Sequence, residues 1–175
     1  LKKELNDIKQ KKKYLEMGCG QFAILGQFFK KINISSDVTS VDIYEKFVEN
    51  SINNSELNKT KIKIKKSNLF SNIDEKFDLI SFNPPYVPSS QKKYESEFPN
   101  IRYSEDEGLK TTHDFLIESK NYLMNDGEIL LGINTFYVSQ TLCNKLISET
   151  GYKVEKITKM KFNTSIVFRL KSLRY

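Results

Sequence analysis

The segment "FDLISFNPPYVP" (Phe77–Pro88) decides how the fold of this chain is interpreted. Its first six residues form an apolar run that is typical of a buried strand. Proline has no N–H for a sheet hydrogen bond and restricts the residue before it, so the strand must end at Asn83. An ordinary turn would use glycine, aspartate or a single proline. The asparagine, the two prolines and the tyrosine therefore indicate a strand exit that has a function.

Short apolar runs alternate with helical patterns along the chain, which is typical of βαβ units around a parallel sheet. The last two apolar runs are separated only by residues 161–163, and they predict an antiparallel pair with its reversed strand at the sheet edge. We therefore predict an α/β fold, a Rossmann-like, doubly wound sheet of seven strands, mostly parallel, with one antiparallel strand near the C-terminus. Strands are predicted at 13–17, 37–43, 61–65, 77–82, 128–134, 152–160 and 164–170, and helices at 21–32, 44–54, 108–124 and 136–151.

Length and composition limit the classes of protein that the chain can represent. Its 175 residues suit one domain with a single core, which we predict over residues 1–175. No apolar run approaches the roughly 20 residues that cross a bilayer, and no signal peptide is recognisable. Cys19 and Cys143 lie far apart without metal-site spacing, so we predict a reduced, cytoplasmic protein without a metal. The net charge of +6 is compatible with nucleic-acid contact, although AT-rich coding would produce the same lysine bias.

The turn "EMGCG" (Glu16–Gly20) follows the first strand, where ligands of doubly wound sheets bind. Gly18 and Gly20 allow a tight turn and a close ligand, and the next helix is expected to offer free N–H groups. The pattern for dinucleotides is not met, and Glu16 would repel a diphosphate. Asp42 follows the second strand and can accept hydrogen bonds from both ribose hydroxyls. Together these features predict an adenosine ligand without a diphosphate; a plain βα turn and a helix-capping aspartate are the alternatives.

The segment Asn83–Tyr86 is expected to face the same crevice. A planar amide or amino nitrogen is a poor nucleophile because its lone pair is delocalised. The Asn83 side-chain oxygen and the Pro84 carbonyl can accept its two hydrogens, and the two prolines fix that carbonyl at low entropic cost. Tyr86 can stack on the flat acceptor group. Catalysis would then rest on positioning and electrostatics, without a strong base; a rigid strand exit without chemistry is the alternative.

The order of "EMGCG", "VDI" and "NPPY" resembles the class I S-adenosylmethionine-dependent methyltransferases that modify planar amino nitrogens. "FDLISFNPPYVP", "SEDEGLKTTHDFL" and "NDGEILLGIN" are more particularly similar to the HemK/PrmC-type protein-glutamine methyltransferases, which methylate the glutamine of the Gly-Gly-Gln motif in peptide-chain release factors. The resemblance covers about residues 13–170 and implies S-adenosylmethionine as the cofactor. It implies that the cofactor is bound by Glu16, Gly18, Cys19, Gly20, Asp42, Ile43, Asn68, Leu69 and Asn83. It implies that the catalytic, acceptor-binding residues are Asn83, Pro84, Pro85 and Tyr86.

Several positions depart from the pattern of this family. Phe22 stands where a third glycine is usual, and Asn68 stands where an aspartate commonly meets the adenine amino group. The glycine pair expected before "EDGL" is absent from "YSEDEGL" (103–109). We expect no helical substrate-recognition domain of the bacterial type before Leu1. The chain therefore resembles the single-domain eukaryotic and archaeal relatives, which can require a small zinc-binding activator subunit.

Residues 87–107 form a long charged segment where an acceptor would enter, and we predict that this segment is the substrate lid. Its three basic and five acidic residues are a poor surface for a polyanion, which favours a protein acceptor. Three hypotheses are kept: methylation of a release-factor glutamine, methylation of adenine or guanine amino groups in RNA or DNA, and a non-catalytic relative that binds a cofactor or a partner. The charged and aromatic residues of the lid are Lys92, Lys93, Arg102, Glu95, Glu97, Glu105, Asp106, Glu107, Tyr94, Phe98 and Tyr103.

Overall fold

The computed structural model of the chain describes residues 1–8, 10–92, 97–98, 101–159 and 164–173. Its strands are β1 (Lys13–Met17), β2 (Asp37–Asp42), β3 (Lys63–Lys66), β4 (Phe77–Phe82), β5 (Val87–Pro88), β6 (Tyr103–Ser104), β7 (Leu123–Asn134), β8 (Tyr152–Lys159) and β9 (Ser165–Ser172). Its α-helices are α1 (Lys2–Asp7), α2 (Ile24–Ile32), α3 (Glu45–Leu57), α4 (Lys110–Ser119) and α5 (Gln140–Glu149). Two short 3₁₀ turns cover Ser89–Gln91 and Asp106–Gly108.

Seven of the strands form one sheet in the order β3-β2-β1-β4-β7-β9-β8, and β5 pairs with β6 separately. The strands β3, β2, β1, β4 and β7 run parallel, whereas β9 runs antiparallel to both of its neighbours. The predicted α/β, doubly wound sheet of seven strands with one reversed strand is confirmed.

The place of the reversed strand differs from the prediction, because β9 lies inside the sheet and β8 forms the edge. The burial of the two strands gives the reason. The run of Ile166, Val167 and Phe168 is buried in β9, which suits a strand covered on both faces. In β8, lysines and a glutamate alternate with apolar residues, and such charges suit an edge strand. The predicted connection at 161–163, like residue 160, lies outside the described residues.

Helix α4 ends at Ser119 rather than at the predicted residue 124. Leu123 already pairs with Phe77 in the sheet, and the Tyr122 carbonyl accepts a hydrogen bond from the Phe77 N–H at 2.8 Å. The register between β4 and β7 then shifts, so that Leu79 pairs with Glu128. "NDG" (125–127) therefore lies in an irregular part of β7 and does not end a helix.

The core consists of two buried clusters of apolar side chains. One includes Phe115 of α4 and Ile147 of α5, together with residues of β4 and β7. The other includes Leu5 of α1 and Phe29 of α2. The sequence analysis did not predict α1. Its buried Glu4 carboxylate forms a salt bridge with Lys156 of β8 at 3.0 Å, which ties this helix to the edge of the sheet.

The described part of the chain lacks features of a membrane span or a metal site. None of its helices combines the length and the apolar character of a membrane span. Its His, Cys, Asp and Glu side chains form no group of three that could hold a metal ion. Cys19 and Cys143 are buried free thiols.

Candidate functional site

A cavity of about 720 Å³ opens at the carboxyl ends of β1, β2 and β4. This is the edge at which doubly wound sheets bind ligands, and the volume lies within the usual range for small-molecule sites. Five separate segments of the chain meet there. The lining includes Met17, Gly18, Gly20, Asp42, Ile43, Tyr44, Phe47, Ser67, Asn68, Leu69, Phe82, Asn83, Pro85, Ser89, Lys92, Ile101, Tyr103, Ser104, Glu105, Lys110 and Thr111.

The two glycines of the first turn have left-handed backbones, with φ of +64° at Gly18 and +62° at Gly20. A Cβ at Gly18 would lie 3.0 Å from the ring of Phe82, so a side chain there would displace this ring. A Cβ at Gly20 would meet no protein atom within 4 Å. Gly20 therefore exposes its backbone to the cavity, as the sequence analysis predicts for a site where a ligand approaches closely.

Glu16 lies behind this turn and does not line the cavity. Its buried carboxylate accepts hydrogen bonds from the N–H groups of Leu25 and Gly26, at 3.0 and 2.9 Å, and from the Ser40 hydroxyl at 2.8 Å. The expectation that α2 begins with free N–H groups is therefore wrong for these two residues. The carboxylate occupies the position in which a diphosphate would bind a helix N-terminus. Burial raises the pKa of Glu16 to about 7, while its hydrogen bonds oppose the rise.

Cys19 also lies behind the wall of the cavity. Its thiol is close to the Ser51 hydroxyl, at 3.9 Å, and to the Gly20 carbonyl, at 3.6 Å. Burial is the main cause that raises the pKa of the thiol, and the nearby Glu16 and Asp42 raise it further. The side chain is therefore an inert packing group, and only its backbone belongs to the turn.

Asp42 ends β2 and projects into the cavity. One carboxylate oxygen accepts the Gly20 N–H at 2.9 Å, and the other accepts the Tyr44 N–H at 3.1 Å. Burial raises the pKa of this carboxyl, and these backbone donors partly offset the rise. The aspartate thus connects the glycine turn to the start of α3. Each oxygen keeps a lone pair for a further donor, as two ribose hydroxyls would require.

Asn68 and Leu69 line the cavity on a turn that follows β3. The Asn68 N–H donates to the Ser71 hydroxyl at 3.1 Å, and the Ser67 hydroxyl donates to the Leu69 carbonyl at 2.6 Å. Leu69 is held in the left-handed region at φ 46°. Because serine side chains hold the backbone of this turn, the amide of Asn68 is left exposed at the cavity.

At the exit of β4, Asn83 is exposed to the cavity, whereas Pro84 and Pro85 are buried. The Asn83 side chain is accommodated because β7 has no side chain at Gly132. A Cβ there would lie 2.9 Å from the Asn83 Oδ1. Tyr86 is half-buried beside the cavity. Its pKa is raised mainly by burial, and a hydrogen bond with the Asn83 side chain lowers it.

The predicted lid begins with β5 and returns through β6. The two strands are joined by the Val87 N–H, which donates to the Arg102 carbonyl at 2.9 Å. Between them, the ring of Phe98 packs against Tyr44 and Phe47, with ring centroids 4.9 and 4.8 Å apart. The described part of the lid therefore contacts two aromatic residues that line the cavity. The sequence-based predictions for Lys93, Tyr94 and Glu95 fall outside the described residues.

The lid ends in a tight turn at residues 105–108. The Glu105 carbonyl accepts hydrogen bonds from the N–H groups of Gly108, Leu109 and Lys110. Asp106 and Glu107 have left-handed backbones, with φ of 49° and 56°, a conformation that costs about 1 kcal/mol or more for each such residue. A Cβ at Gly108 would lie 2.3 Å from the Tyr86 carbonyl. The segment that departs from the family pattern is therefore a strained turn packed directly on the β4 exit.

The structure brings together eight of the twelve predicted site residues as cavity walls, and it places the other four behind or beside them. The sequence-based site and lid predictions do not include Tyr44, Phe47 and Lys110, which also line the cavity. "YEKF" after β2 was interpreted only as the start of a helix, although Tyr44 and Phe47 follow Asp42 directly. The eight are Gly18, Gly20, Asp42, Ile43, Asn68, Leu69, Asn83 and Pro85, and the other four are Glu16, Cys19, Pro84 and Tyr86.

These residues fit S-adenosylmethionine as the cofactor. The exposed backbone at Gly20 and the carboxylate of Asp42 offer polar contacts to an amino acid and a ribose. Apolar side chains of Ile43 and Leu69, next to the amide of Asn68, offer a slot for a flat base. The Glu16 carboxylate under the turn disfavours a diphosphate, so the donor set suits an adenosine that carries an amino acid.

The chain is similar to known methyltransferases over most of its length. The family model of the methyltransferase small domain matches residues 1–162. A protein of Methanocaldococcus jannaschii with the provisional name protein N5-glutamine methyltransferase is 32% identical over 162 residues, which are 92% of this chain and 80% of the relative. The fold is also similar to the crystal structure of a ribosomal protein L11 methylase from Lactobacillus delbrueckii subsp. bulgaricus, with a TM-score of 0.72 and 17% sequence identity. The similar region covers 99% of this chain and 79% of the L11 methylase chain.

Two bacterial relatives are much longer than the part they share with this chain. The release factor glutamine methyltransferase of Fusobacterium nucleatum is 31% identical over 141 residues, which are 79% of this chain and 34% of the relative. The ribosomal RNA small subunit methyltransferase C of Haemophilus influenzae is 28% identical over 130 residues, which are 74% of this chain and 34% of the relative. The chain thus spans about one third of the length of these two relatives.

Proposed function

The chain belongs to the methyltransferase small domain family of S-adenosylmethionine-dependent methyltransferases, and from that premise we propose that it methylates the side-chain amide of a protein glutamine. The observation that carries the proposal is the exposed Asn83 at the exit of β4. Its side chain reaches the same cavity as Gly18, Gly20 and Asp42. A group held at Asn83 would therefore lie beside a cofactor held at these residues.

The cofactor end of the cavity has a proposed division of roles. Gly18 and Gly20 would admit the methionine part, Asp42 would accept hydrogen bonds from the ribose, and Asn68 would accept one from the adenine amino group. Ile43 and Leu69 would cover the base. Glu16 and Cys19 would support the site from behind the cavity wall. Glu16 accepts hydrogen bonds from the start of α2, and Cys19 belongs to the glycine turn. When bound, S-adenosylmethionine supplies an electrophilic methyl group on a sulfonium.

At the acceptor end, Asn83 and its neighbours would activate a nitrogen that is otherwise unreactive. The Asn83 side chain hydrogen-bonds Tyr86, and the two lone pairs of its Oδ1 give it the capacity to accept a further N–H. The Oδ1 and the Pro84 carbonyl would accept the two N–H hydrogens of the substrate amide. The nitrogen lone pair would then become less delocalised, and one proton would leave to solvent after transfer.

The charges near the entrance favour a protein acceptor over a nucleic acid. Of the described lid residues, Lys92 and Arg102 are basic, whereas Glu97, Glu105, Asp106 and Glu107 are acidic. Phosphates approaching this rim would meet an excess of negative charge. The names of the relatives from M. jannaschii and F. nucleatum support a glutamine as the acceptor, and the second supports the release factor as the protein that carries it.

Methylation of a nucleobase amino group is the second candidate function. The relative from H. influenzae is named for ribosomal RNA, and the net charge of +6 favours contact with a polyanion. The same Asn83 chemistry would serve an adenine or guanine amino group. The lid makes this candidate weaker, because acidic residues outnumber basic ones by four to two among its described residues.

The two candidates are separated by following the methyl label. The protein is incubated with S-adenosylmethionine that carries a labelled methyl group and with a whole-cell extract, which also supplies any activator subunit. The extract is then divided into protein and nucleic-acid fractions. We expect label in a protein fraction that contains a release factor, and its transfer should change little with salt. Label confined to RNA or DNA, with steep salt dependence, would replace the first candidate by the second.

A further inference from the structure

A rigid loop at the carboxyl end of β7 holds a large apolar ring in solvent. Phe136 is 75% exposed. Its N–H donates to the Asn134 Oδ1 at 3.0 Å, and the same oxygen accepts the Thr164 hydroxyl at 2.6 Å. The N–H and hydroxyl of Thr135 both donate to the Thr164 carbonyl at 2.8 Å. These hydrogen bonds hold the backbone from which the Phe136 ring projects into solvent.

Phe136 is the outer member of a row of three aromatic rings. It packs edge-on against Tyr137, with centroids 5.0 Å apart, and Tyr137 stacks on Tyr86 at 6.0 Å. Tyr86 in turn hydrogen-bonds the side chain of Asn83. This aromatic row, Tyr86–Tyr137–Phe136, runs from the proposed acceptor-binding asparagine to the surface.

The strained turn at 105–108 lies against the same row. A Cβ at Gly108 would be 2.3 Å from the Tyr86 carbonyl and 3.2 Å from Val138 Cγ2, so the turn touches both the β4 exit and the loop that carries Phe136. Glu105, Asp106 and Glu107 are exposed on this turn. The entrance thus combines an apolar strip with an adjacent cluster of negative charge.

We propose that the aromatic row and the acidic turn together form the docking surface for the polypeptide loop that carries the acceptor glutamine. This inference rests on the proposed function and specifies the chemistry of its partner. The loop has an apolar side chain on one side of the glutamine, against Phe136 and Tyr137, and a basic side chain on the other, against Glu105 and Glu107. Continuity with Asn83 and the negative charge of the turn select this occupant, because a nucleic acid would bring phosphates to the acidic residues.

The test measures kcat and KM for purified release factors that differ only beside the Gly-Gly-Gln triplet. In these factors, the residue on one side of the triplet is leucine or serine, and the residue on the other side is arginine or glutamate. Each combination is made twice, once with the leucine or serine before the triplet and once with it after the triplet. For the unmodified enzyme we expect kcat/KM to be about fivefold or more higher with leucine than with serine. Arginine should be preferred over glutamate by a few-fold, and this preference should weaken at high salt.

Variants of the enzyme assign each preference to its residue. Phe136→Ala should raise KM about tenfold, leave kcat and cofactor affinity within twofold, and remove the preference for leucine. Phe136→Leu should restore part of that preference. Glu105→Gln with Glu107→Gln should remove the preference for arginine and keep the preference for leucine. Leu57→Ala is the control, since Leu57 is 82% exposed at the far end of α3, and it should change neither preference.

The outcomes separate this inference from the proposed function. A preference for leucine that persists in Phe136→Ala, in a variant with an unchanged melting temperature, would overturn the docking surface while glutamine methylation stands. Methyl transfer to RNA alone would overturn both. Loss of the leucine preference with kcat retained supports the docking surface, because a purely structural role of Phe136 would not change selectivity for one neighbouring residue.

Discussion

The two ends of the cavity are built in different ways. At the cofactor end, the Asp42 carboxylate accepts hydrogen bonds from the N–H groups of Gly20 and Tyr44. A second buried carboxylate, Glu16, accepts two N–H groups at the start of α2. At the acceptor end, the strand exit at Asn83 adjoins the turn at residues 105–108 with its two strained residues, and the exposed ring of Phe136 lies outside the cavity. The first end is held by buried carboxylates, whereas the second presents exposed side chains, such as Asn83, Glu105 and Phe136, to solvent.

This difference indicates where selectivity resides. A cofactor is the same for every member of a family, so its end can be closed by short turns whose geometry depends on one or two residues. An acceptor differs from enzyme to enzyme, and loops on a rigid sheet can change without loss of the fold. We therefore expect substitutions at the cofactor end to change cofactor affinity and substitutions at the acceptor end to change turnover or acceptor binding.

The largest effect is expected at Asn83. Asn83→Ala removes an acceptor that we propose for the N–H groups in the transition state, so kcat should fall by about 100-fold or more. The dissociation constant of S-adenosylmethionine, measured by calorimetry, should stay within threefold. Asn53→Ala, at an exposed asparagine of α3, is the control and should be unchanged. A variant at Asn83 with the original kcat would mean that the asparagine does not activate the acceptor.

Asp42→Ala should have the opposite pattern. Loss of charge-assisted hydrogen bonds to the ribose should weaken cofactor binding by roughly 30- to 150-fold, or about 2–3 kcal/mol. At saturating cofactor, kcat should remain within a few-fold. Asp37→Ala, at the other end of β2 where Asp37 pairs with Lys63, serves as the control. Unchanged cofactor affinity in a folded Asp42→Ala protein would show that Asp42 does not bind the cofactor. The proposed difference between the two ends of the cavity would then be wrong.

Gly26→Ala tests the carboxylate beneath the cofactor end. Alanine in a helix is normally more stabilising than glycine, but a Cβ here would lie 2.2 Å from the Ser40 Oγ and 2.9 Å from the Glu16 Oε2. We expect the free energy of unfolding in urea to fall by about 1–3 kcal/mol, as for other overpacked sites. An increase in the free energy of unfolding would contradict this prediction, because it would show that the Glu16 carboxylate does not need the space beside Gly26.

The smallest effect is expected at the lid. Phe98→Ala removes a ring that covers Tyr44 and Phe47, and cofactor binding should weaken by about two- to tenfold. Phe136→Ala, at the acceptor end, should leave cofactor binding unchanged and so serves as the matched comparison. Equal losses of cofactor affinity in the two variants would show that the two ends are not independent.

The sequence predicted some elements well for identifiable reasons. Strands β1 and β4 were predicted with their observed bounds, because glycines or prolines end each apolar run. Helix α4 was predicted too long, since the periodicity of "GLKTTHDFLIESKNYLM" could not reveal that Leu123 pairs with Phe77 across the chain. The interior position of β9 likewise depends on covering both faces of the strand, and this is a tertiary property.

The residues of the candidate site likewise include some that the sequence could predict and some that depend on tertiary contacts. The side chains that follow strand ends directly, such as Asp42 and Asn83, could be found from position alone. The role of Glu16 as an acceptor for α2 could not, because it depends on Ser40 and Gly26, which are 24 and 10 residues away in sequence. Phe136 gave no signal in the sequence, because its exposure results from hydrogen bonds to Thr164 on a different strand connection.

Mass spectrometry of the release factor tests the central claim most directly. The enzyme and S-adenosylmethionine are incubated with the factor, with and without cell extract as a source of activator, and the peptide that contains Gly-Gly-Gln is analysed. We predict one added methyl group on the glutamine side chain, and none in a factor in which that glutamine is alanine or with the Asn83→Ala enzyme. An unmodified glutamine under both conditions, together with methylated adenine or guanine in RNA or DNA from the same extract, would contradict the account.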